Sequence, residues 1–125
     1  MAGYVERDLE WIRGTTPTLI YRFRRLVSEG VYAPIEFDKA IISVTTGTKL
    51  VFREEMELSD PDAGEARYTV SAAQTRACKG SKIGEPGKNY YEIELRNGTS
   101  EKVYALGNIA AIGGANSDET DEDIS

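Results

Sequence analysis

Residues 89–112 read NYYEIELRNGTSEKVYALGNIAAI, and the alternation in this stretch decides the fold. Tyr91, Ile93 and Leu95 share one face of an extended chain, and Tyr90, Glu92 and Glu94 share the other. A half-buried strand requires that period of two. Asn97-Gly98 follows, a dipeptide that favours a type I′ turn because both central residues need positive φ. The chain then returns over about 101–112 with Val103, Ala105 and Gly107 matched to the partner strand. Gly107 marks a bulge or the close approach of another backbone.

The same period extends outward from this hairpin. Leu19, Tyr21 and Phe23 alternate with Ile20, Arg22 and Arg24, giving a strand over 18–25. Ala40, Ile42 and Val44 share a face in a second strand, and Leu50, Phe52 and Met56 share one in a third. Only Thr46, Gly47 and Thr48 separate these two, so they pair as a hairpin. Asp60-Pro61-Asp62-Ala63-Gly64 is a turn: proline presets φ, aspartate caps locally and glycine accepts positive φ. Ala66, Tyr68 and Val70 form a fourth strand. Ser71 and Gln74 have capping-box spacing, which predicts one helical turn ending near Cys78. Lys79 to Lys88 holds three glycines and a proline and reads as a loop. Short strands at even spacing with turn signals between them predict an all-β sandwich.

Composition bounds the chemistry. The chain has 125 residues, 40% hydrophobic and 29% charged, the size of one domain. It contains no histidine and one cysteine, Cys78. Histidine-based catalysis, histidine-ligated zinc, cysteine-rich zinc and an internal disulfide are therefore excluded. No stretch reaches the roughly 18–20 apolar residues of a membrane helix, and MAGYVERDLEW lacks the apolar core of a secretory signal. Neither membrane association nor a signal peptide is expected.

Net charge is −6. Residues 113–125 (GGANSDETDEDIS) hold five acids, Asp118, Glu119, Asp121, Glu122 and Asp123, and no base, which leaves −1 for residues 1–112. The expected organisation is an N-terminal arm over 1–10, which shows no period, a sandwich over 11–112 and an acidic flexible tail over 113–125. Such a run cannot offset the entropy of ordering it. It either stays solvated or docks on a basic groove of a neighbouring subunit.

Other constellations resolve to bland readings. Arg22, Arg24 and Arg25 lie together and are expected to pair with Glu54, Glu55 or Glu57. Tyr90 and Tyr91 lack the basic frame of a nucleic-acid binder, and Glu92 and Glu94 would repel phosphate. Gly80, Gly84 and Gly87 spell no phosphate-loop signature. Asp60, Asp62 and Glu65 lack the distal ligands of a calcium loop. Cys78 reads as a small buried apolar residue. No cofactor, metal or nucleic acid is expected, and no catalysis. Trp11 plugs one end of the sandwich, or with Ile12 forms an exposed anchor for another subunit.

Three stretches in order carry a resemblance. They are Trp11-Ile12-Arg13-Gly14-Thr15-Thr16; Asp60-Pro61-Asp62-Ala63-Gly64 followed by Ala66-Arg67-Tyr68-Thr69-Val70 and Ala73-Gln74-Thr75; and Tyr90 to Leu95 followed by Tyr104-Ala105-Leu106-Gly107-Asn108-Ile109. This order resembles the small immunoglobulin-like structural proteins of tailed bacteriophages, akin to the N-terminal domain of upper baseplate proteins, and covers residues 11–112. At Ile35-Glu36-Phe37-Asp38 the chain departs from that group's D-L-T-G linker end.

The resemblance implies an immunoglobulin-like antiparallel β-sandwich of about seven strands with one short helical turn and flexible termini. It also implies a virion protein, made in the bacterial host cytoplasm, that acts as an adaptor in tail, baseplate or neck. Its partners would be other phage structural proteins and further copies of itself. Exposure logic puts the contacts at Tyr4, Leu9, Trp11 and Ile12 and at the tail acids Asp118, Glu119, Asp121, Glu122 and Asp123. The alternatives are a capsid decoration protein on the phage head and a carbohydrate-binding sandwich module.

Overall fold

A computed structural model describes residues 5–113. Its elements run β1 (Val5–Glu6), β2 (Leu9–Ile12), β3 (Thr18–Arg22), β4 (Arg24–Ser28), β5 (Val31–Pro34), β6 (Lys39–Thr46), β7 (Lys49–Glu55), β8 (Glu57–Asp60), a 3-10 turn (Pro61–Ala63), β9 (Glu65–Thr69), α1 (Ala72–Ala77), β10 (Gly80–Ser81), β11 (Asn89–Asn97) and β12 (Ser100–Ile112). No helix among the described residues is long and apolar enough to cross a membrane.

The large sheet runs β1-β12-β11-β6-β7, with β2 beside β12 on the edge that β1 uses and β10 pairing the end of β12. The small sheet runs β3-β9-β8. Taken in chain order, β3, β9 and β8 occupy the B, E and D positions of an immunoglobulin sandwich. β6, β7, β11 and β12 occupy C, C′, F and G. The expected all-β, immunoglobulin-like sandwich with a single short helical turn is the observed fold.

Register explains the core. Tyr91 lies opposite Val44 on one side and Gly107 on the other, and Ile93 lies between Ile42 and Ala105. All four side chains of the central strands, Tyr91, Val44, Ile93 and Ile42, are fully buried. Tyr21 and Phe23 close over them from the small-sheet side, with rings stacked 5.8 Å apart. Met56 sits where the chain leaves β7 for β8; its amide donates to the Ala40 carbonyl at 2.8 Å and its side chain is buried. Continuous apolar rows of this kind supply most of the driving force for folding.

Several expectations need correction. Residues 5–10 are not a free arm: Val5–Glu6 and Leu9–Ile12 run parallel to β12, in register with Ala105–Leu106 and Ile109–Ile112. Their polar sequence hides this because the pairing is made by backbone. Gly107 makes it possible, since a Cβ there would overlap the Arg7 carbonyl oxygen. The hairpin turn is also shifted by one residue. Asn97 pairs with Ser100, leaving Gly98-Thr99 as the loop, and Gly98 has φ 61° while no described non-glycine residue has positive φ. Positive φ at the first loop residue alone is the pattern of a type II′ turn. Leu50 points to solvent because a bulge between Val44 and Thr45 reverses the facing of β7 at Val51. The strand expected over 18–25 breaks at Phe23.

Two local readings hold in atomic detail. Ser71 Oγ accepts from the Gln74 amide at 3.1 Å, and Gln74 Oε1 accepts from the Ser71 amide at 2.9 Å and from Tyr68 Oη–H at 2.8 Å. In the Asp60–Gly64 turn, Asp60 Oδ1 accepts from the Ala63 amide at 3.3 Å, and Gly64 has φ 68°.

Candidate interaction surfaces

The sandwich has two chemically different ends. Because β11 and β12 are antiparallel, the Gly98 turn and Gly113 lie at opposite ends of the large sheet. At the Gly98 end stands the β4–β5 hairpin, with Leu26 opposite Tyr32 and Val31 opposite Ser28, and with Val27 bulged. Leu26, Val27, Val31 and Tyr32 are all exposed, Tyr32 to 62%. Residues 24–28 contain no buried position. The hairpin's base is fixed to the core: the Phe23 amide donates to the Gly64 carbonyl at 2.8 Å, and the Ile35 amide to the Phe23 carbonyl at 2.9 Å. Its tip turns on Gly30, with φ 71°.

Arg24 and Arg25 are exposed on this hairpin and enter no ion pair among the described residues. The arginine cluster expected from sequence is thus divided. Arg22 pairs with Glu65 at 3.0 Å, and Arg67 takes Glu57 at 2.6 Å. Hydrogen bonding from Arg22 holds the Glu65 carboxyl below its ordinary value. Among the described residues Glu54 and Glu55 pair with none of the three arginines, because Arg22 lies on β3 in the other sheet and Arg24 and Arg25 lie on the separate β4–β5 hairpin.

At the opposite end lies an open cleft lined by Arg13, Gly80, Ser81, Lys82, Ile83, Glu85, Lys88, Ile112 and Gly113. Ile83 is 86% exposed, and Ile12, whose backbone is in register with Ile112, is 59% exposed. Lys88 pairs with Glu85 at 3.4 Å. The loop that carries most of the cleft is tied at Lys79 to Asn89, which is buried with all its polar capacity used. Its Oδ1 accepts from Thr46 Oγ1 at 2.6 Å and from the Lys79 amide at 2.8 Å. Its Nδ2 donates to the Lys79 carbonyl at 2.9 Å and to the Ile109 carbonyl at 3.1 Å. Nearby, Thr75 Oγ1 accepts from the Gly14 amide at 3.0 Å and donates to the Thr15 carbonyl at 2.9 Å, which ties α1 to the corner before β3.

The chain matches no family model, and no curated protein matches it.

The residues expected to make contacts divide in the structure. Trp11 is 4% exposed and belongs to the core, so it is a plug and not an exposed anchor; its Nε1 is buried and has no hydrogen-bond partner among the described residues. Leu9 is half-buried against the same core. Among the described residues of the N-terminal group, Ile12 alone is exposed. Tyr4, Asp118, Glu119, Asp121, Glu122 and Asp123 lie outside the described residues. Of the described ones, neither Leu9, Trp11 nor Ile12 lies on the hairpin, whose apolar residues are not marked by any sequence period. Leu26-Val27 and Val31-Tyr32 are adjacent pairs, and adjacency places one member on each face of a strand, so no alternation appears.

The remaining reactive groups are structural. Burial pushes the Cys78 thiol up to about 11, and its Sγ–H donates to the Gln74 carbonyl at 3.6 Å. Tyr91 Oη–H donates to the Arg7 carbonyl at 2.6 Å, which leaves Tyr21 Oη–H to donate to Tyr91 Oη at 2.7 Å. Desolvation raises the Tyr91 phenol above its ordinary value, because burial disfavours the phenolate. Among the described residues no group of three or more His, Cys, Asp or Glu side chains is placed to hold a metal ion.

Proposed function

We propose that this chain is a structural protein of a tailed-phage virion, an adaptor in tail, baseplate or neck that works by protein–protein contact. The observation that carries the reading is the pairing of an immunoglobulin-order sandwich with a projecting hairpin whose Leu26, Val27, Val31 and Tyr32 face solvent. Contiguous exposed apolar side chains mark interaction surfaces. Hairpin edges add strands to other sheets. The three-part resemblance of residues 11–112 supplies the particle context. In this reading the sandwich is a rigid spacer and the ends do the binding.

The test is to purify particles from cells carrying the gene and to locate and count this chain in them by quantitative mass spectrometry and cryo-electron microscopy. A symmetric set of about six or twelve copies at one vertex is the expected result. Hundreds of copies over the shell would make it a capsid decoration protein. Its absence from particles would overturn the proposal.

A further inference from the structure

The large sheet has two long edges, and they are finished differently. Along β12 the edge is covered by β1, β2 and β10. At the other edge β7 pairs with β6 alone among the described strands, so Lys49–Glu55 is an open edge of seven residues. Such an edge is a template for another strand. We infer that β7 pairs antiparallel with β7 of a second copy about a two-fold axis, joining the two large sheets into one. This rests on the contact-protein reading above and deepens it by naming a partner, a second copy of the chain. The hairpin and the cleft stay free for other proteins.

The register follows from how β7 lies on β6. Phe52 is opposite Val44 and Glu54 opposite Ile42; with Val51 bulged, Lys49 comes opposite Thr46. Opposed residues share a face, and Val44 and Ile42 face the core. Lys49, Phe52 and Glu54 therefore stand on the core side of β7, and Leu50, Arg53 and Glu55 on the outer side. The Met56 amide donates to the Ala40 carbonyl at 2.8 Å, and bonded pairs alternate with unbonded ones along such a ladder. Glu54 and Phe52 therefore direct their backbone groups to β6, and Arg53 turns its own outward. Before the bulge, Lys49 closes the Gly47-Thr48 turn on Thr46, so Leu50 likewise turns its backbone groups outward.

With Phe52 on the axis, Arg53 of each copy meets Leu50 of the other, and Glu54 meets Lys49; the faces agree at every pair. Each Arg53–Leu50 pair exchanges backbone hydrogen bonds across the axis. The stem of Arg53 covers Leu50, which is 54% exposed in the single chain. Charge selects a second copy as the occupant. β7 carries Lys49 at its start, then Arg53, and Glu54 and Glu55 at its end, all exposed and none in an ion pair among the described residues. The next acid along the chain, Glu57, is held by Arg67 at 2.6 Å. A strand of no net charge, with a cation at one end and acids at the other, complements itself when reversed. Centring the pair on Arg53 or Glu54 would instead set like charges together. β3, an edge of the small sheet that exposes Ile20, lacks this pattern: reversed about Ile20 it sets Arg22 against Thr18. The contact is isologous and closes at two chains.

Sedimentation velocity on the full chain from about 10 μM to about 1 mM tests this. The expected result is a mass that rises with concentration, levels at two chains and falls with added salt. Over the same range the Leu50 and Arg53 amides should gain protection from hydrogen exchange. Lys49→Glu and Glu54→Lys alter exposed side chains only, and each should remain folded by circular dichroism. Each alone sets like charges opposite one another on both sides of the axis, and should associate at least about tenfold more weakly than the natural chain. Mixed in equal amounts, the two should form a dimer of one copy each, because both facing pairs are then unlike. A chain carrying both changes should regain self-association for the same reason. A single-chain mass at every concentration, growth past two chains, a mixture no stronger than its components, or association indifferent to both variants would overturn the inference. None of those results would alter whether the chain is found in a particle.

Discussion

Gly107→Ala should release the N-terminal strands from the sheet while leaving the sandwich folded. A methyl at position 107 collides with the Arg7 carbonyl oxygen, and the Asp8 amide lies only 3.2 Å from it. Neither is a flexible side-chain end, so the backbone between β1 and β2 must move. Moving it breaks three hydrogen bonds: Tyr91 Oη–H to the Arg7 carbonyl at 2.6 Å, the Arg7 amide to the Leu106 carbonyl at 2.9 Å, and the Asn108 amide to Asp8 Oδ1 at 3.0 Å. At about 1 kcal/mol net for each bond the loss is about 3 kcal/mol. If the segment resists, overpacking costs about 1–3 kcal/mol instead. Three kcal/mol is roughly a hundredfold in a local opening equilibrium. Hydrogen exchange reads it directly: the Arg7 and Asn108 amides should lose roughly a hundredfold in protection, while those of Ile93 and Leu95 should change far less. Undiminished protection at Arg7 and Asn108 with an unshifted melting temperature would refute the steric argument.

Trp11→Ala should cost about 3–5 kcal/mol in urea denaturation. Trp11→Phe should cost about 1 kcal/mol or less, because it also removes the unpartnered buried Nε1–H; equal costs would show that Nε1 is satisfied. Asn89→Leu strands the Lys79 backbone and the Ile109 carbonyl and should cost roughly 2–4 kcal/mol, with faster proteolysis inside 79–88. Alkaline pH should destabilise the fold through Cys78. Its folded value, about 11, lies above the ordinary 9.0, so the folded state holds the proton more tightly. That contribution is complete below about pH 9 and is lost as pH rises toward about 11. Cys78→Ala should flatten the fall of the urea midpoint across that window. Leu26→Ser and Tyr32→Ser, measured at high dilution, should shift stability by no more than about 0.5 kcal/mol, since neither side chain is buried.

What was legible in the sequence was what one strand can say by itself. Tyr91, Ile93 and Leu95 announced their common face because β11 is flanked on both edges and packed on one side. The Ser71–Gln74 capping box and the Asp60–Gly64 turn are contained within a few residues and needed nothing else. The N-terminal pairing was not legible because its cause sits a hundred positions away. Gly107 declared that some backbone came close, but nothing in VERDLE says that the visitor is Arg7. Leu50 was misread because a single bulged residue, Val51, inverts everything before it on the strand. The hairpin was missed for a different reason. Its two faces are both apolar and neither packs on the core, so the amphipathic period that marks a half-buried strand is absent.

That absence is itself informative about where stability resides. An isolated two-stranded ribbon is marginal in water, and among the described residues β4–β5 is held to the sandwich by backbone hydrogen bonds at its base, at Phe23, Ile35 and Gly64. The middle of the molecule is closed far more tightly by the hydrogen-bond chain from Tyr21 Oη through Tyr91 Oη to the Arg7 carbonyl, and the cleft end by Asn89. The core therefore does not need Leu26, Val27, Val31 or Tyr32 in order to fold. Each of these forgoes about 1–2 kcal/mol of burial in the isolated chain. For a domain whose whole stability is about 5–15 kcal/mol, four such side chains on one hairpin are a substantial reserve, and it becomes available only when another surface covers them.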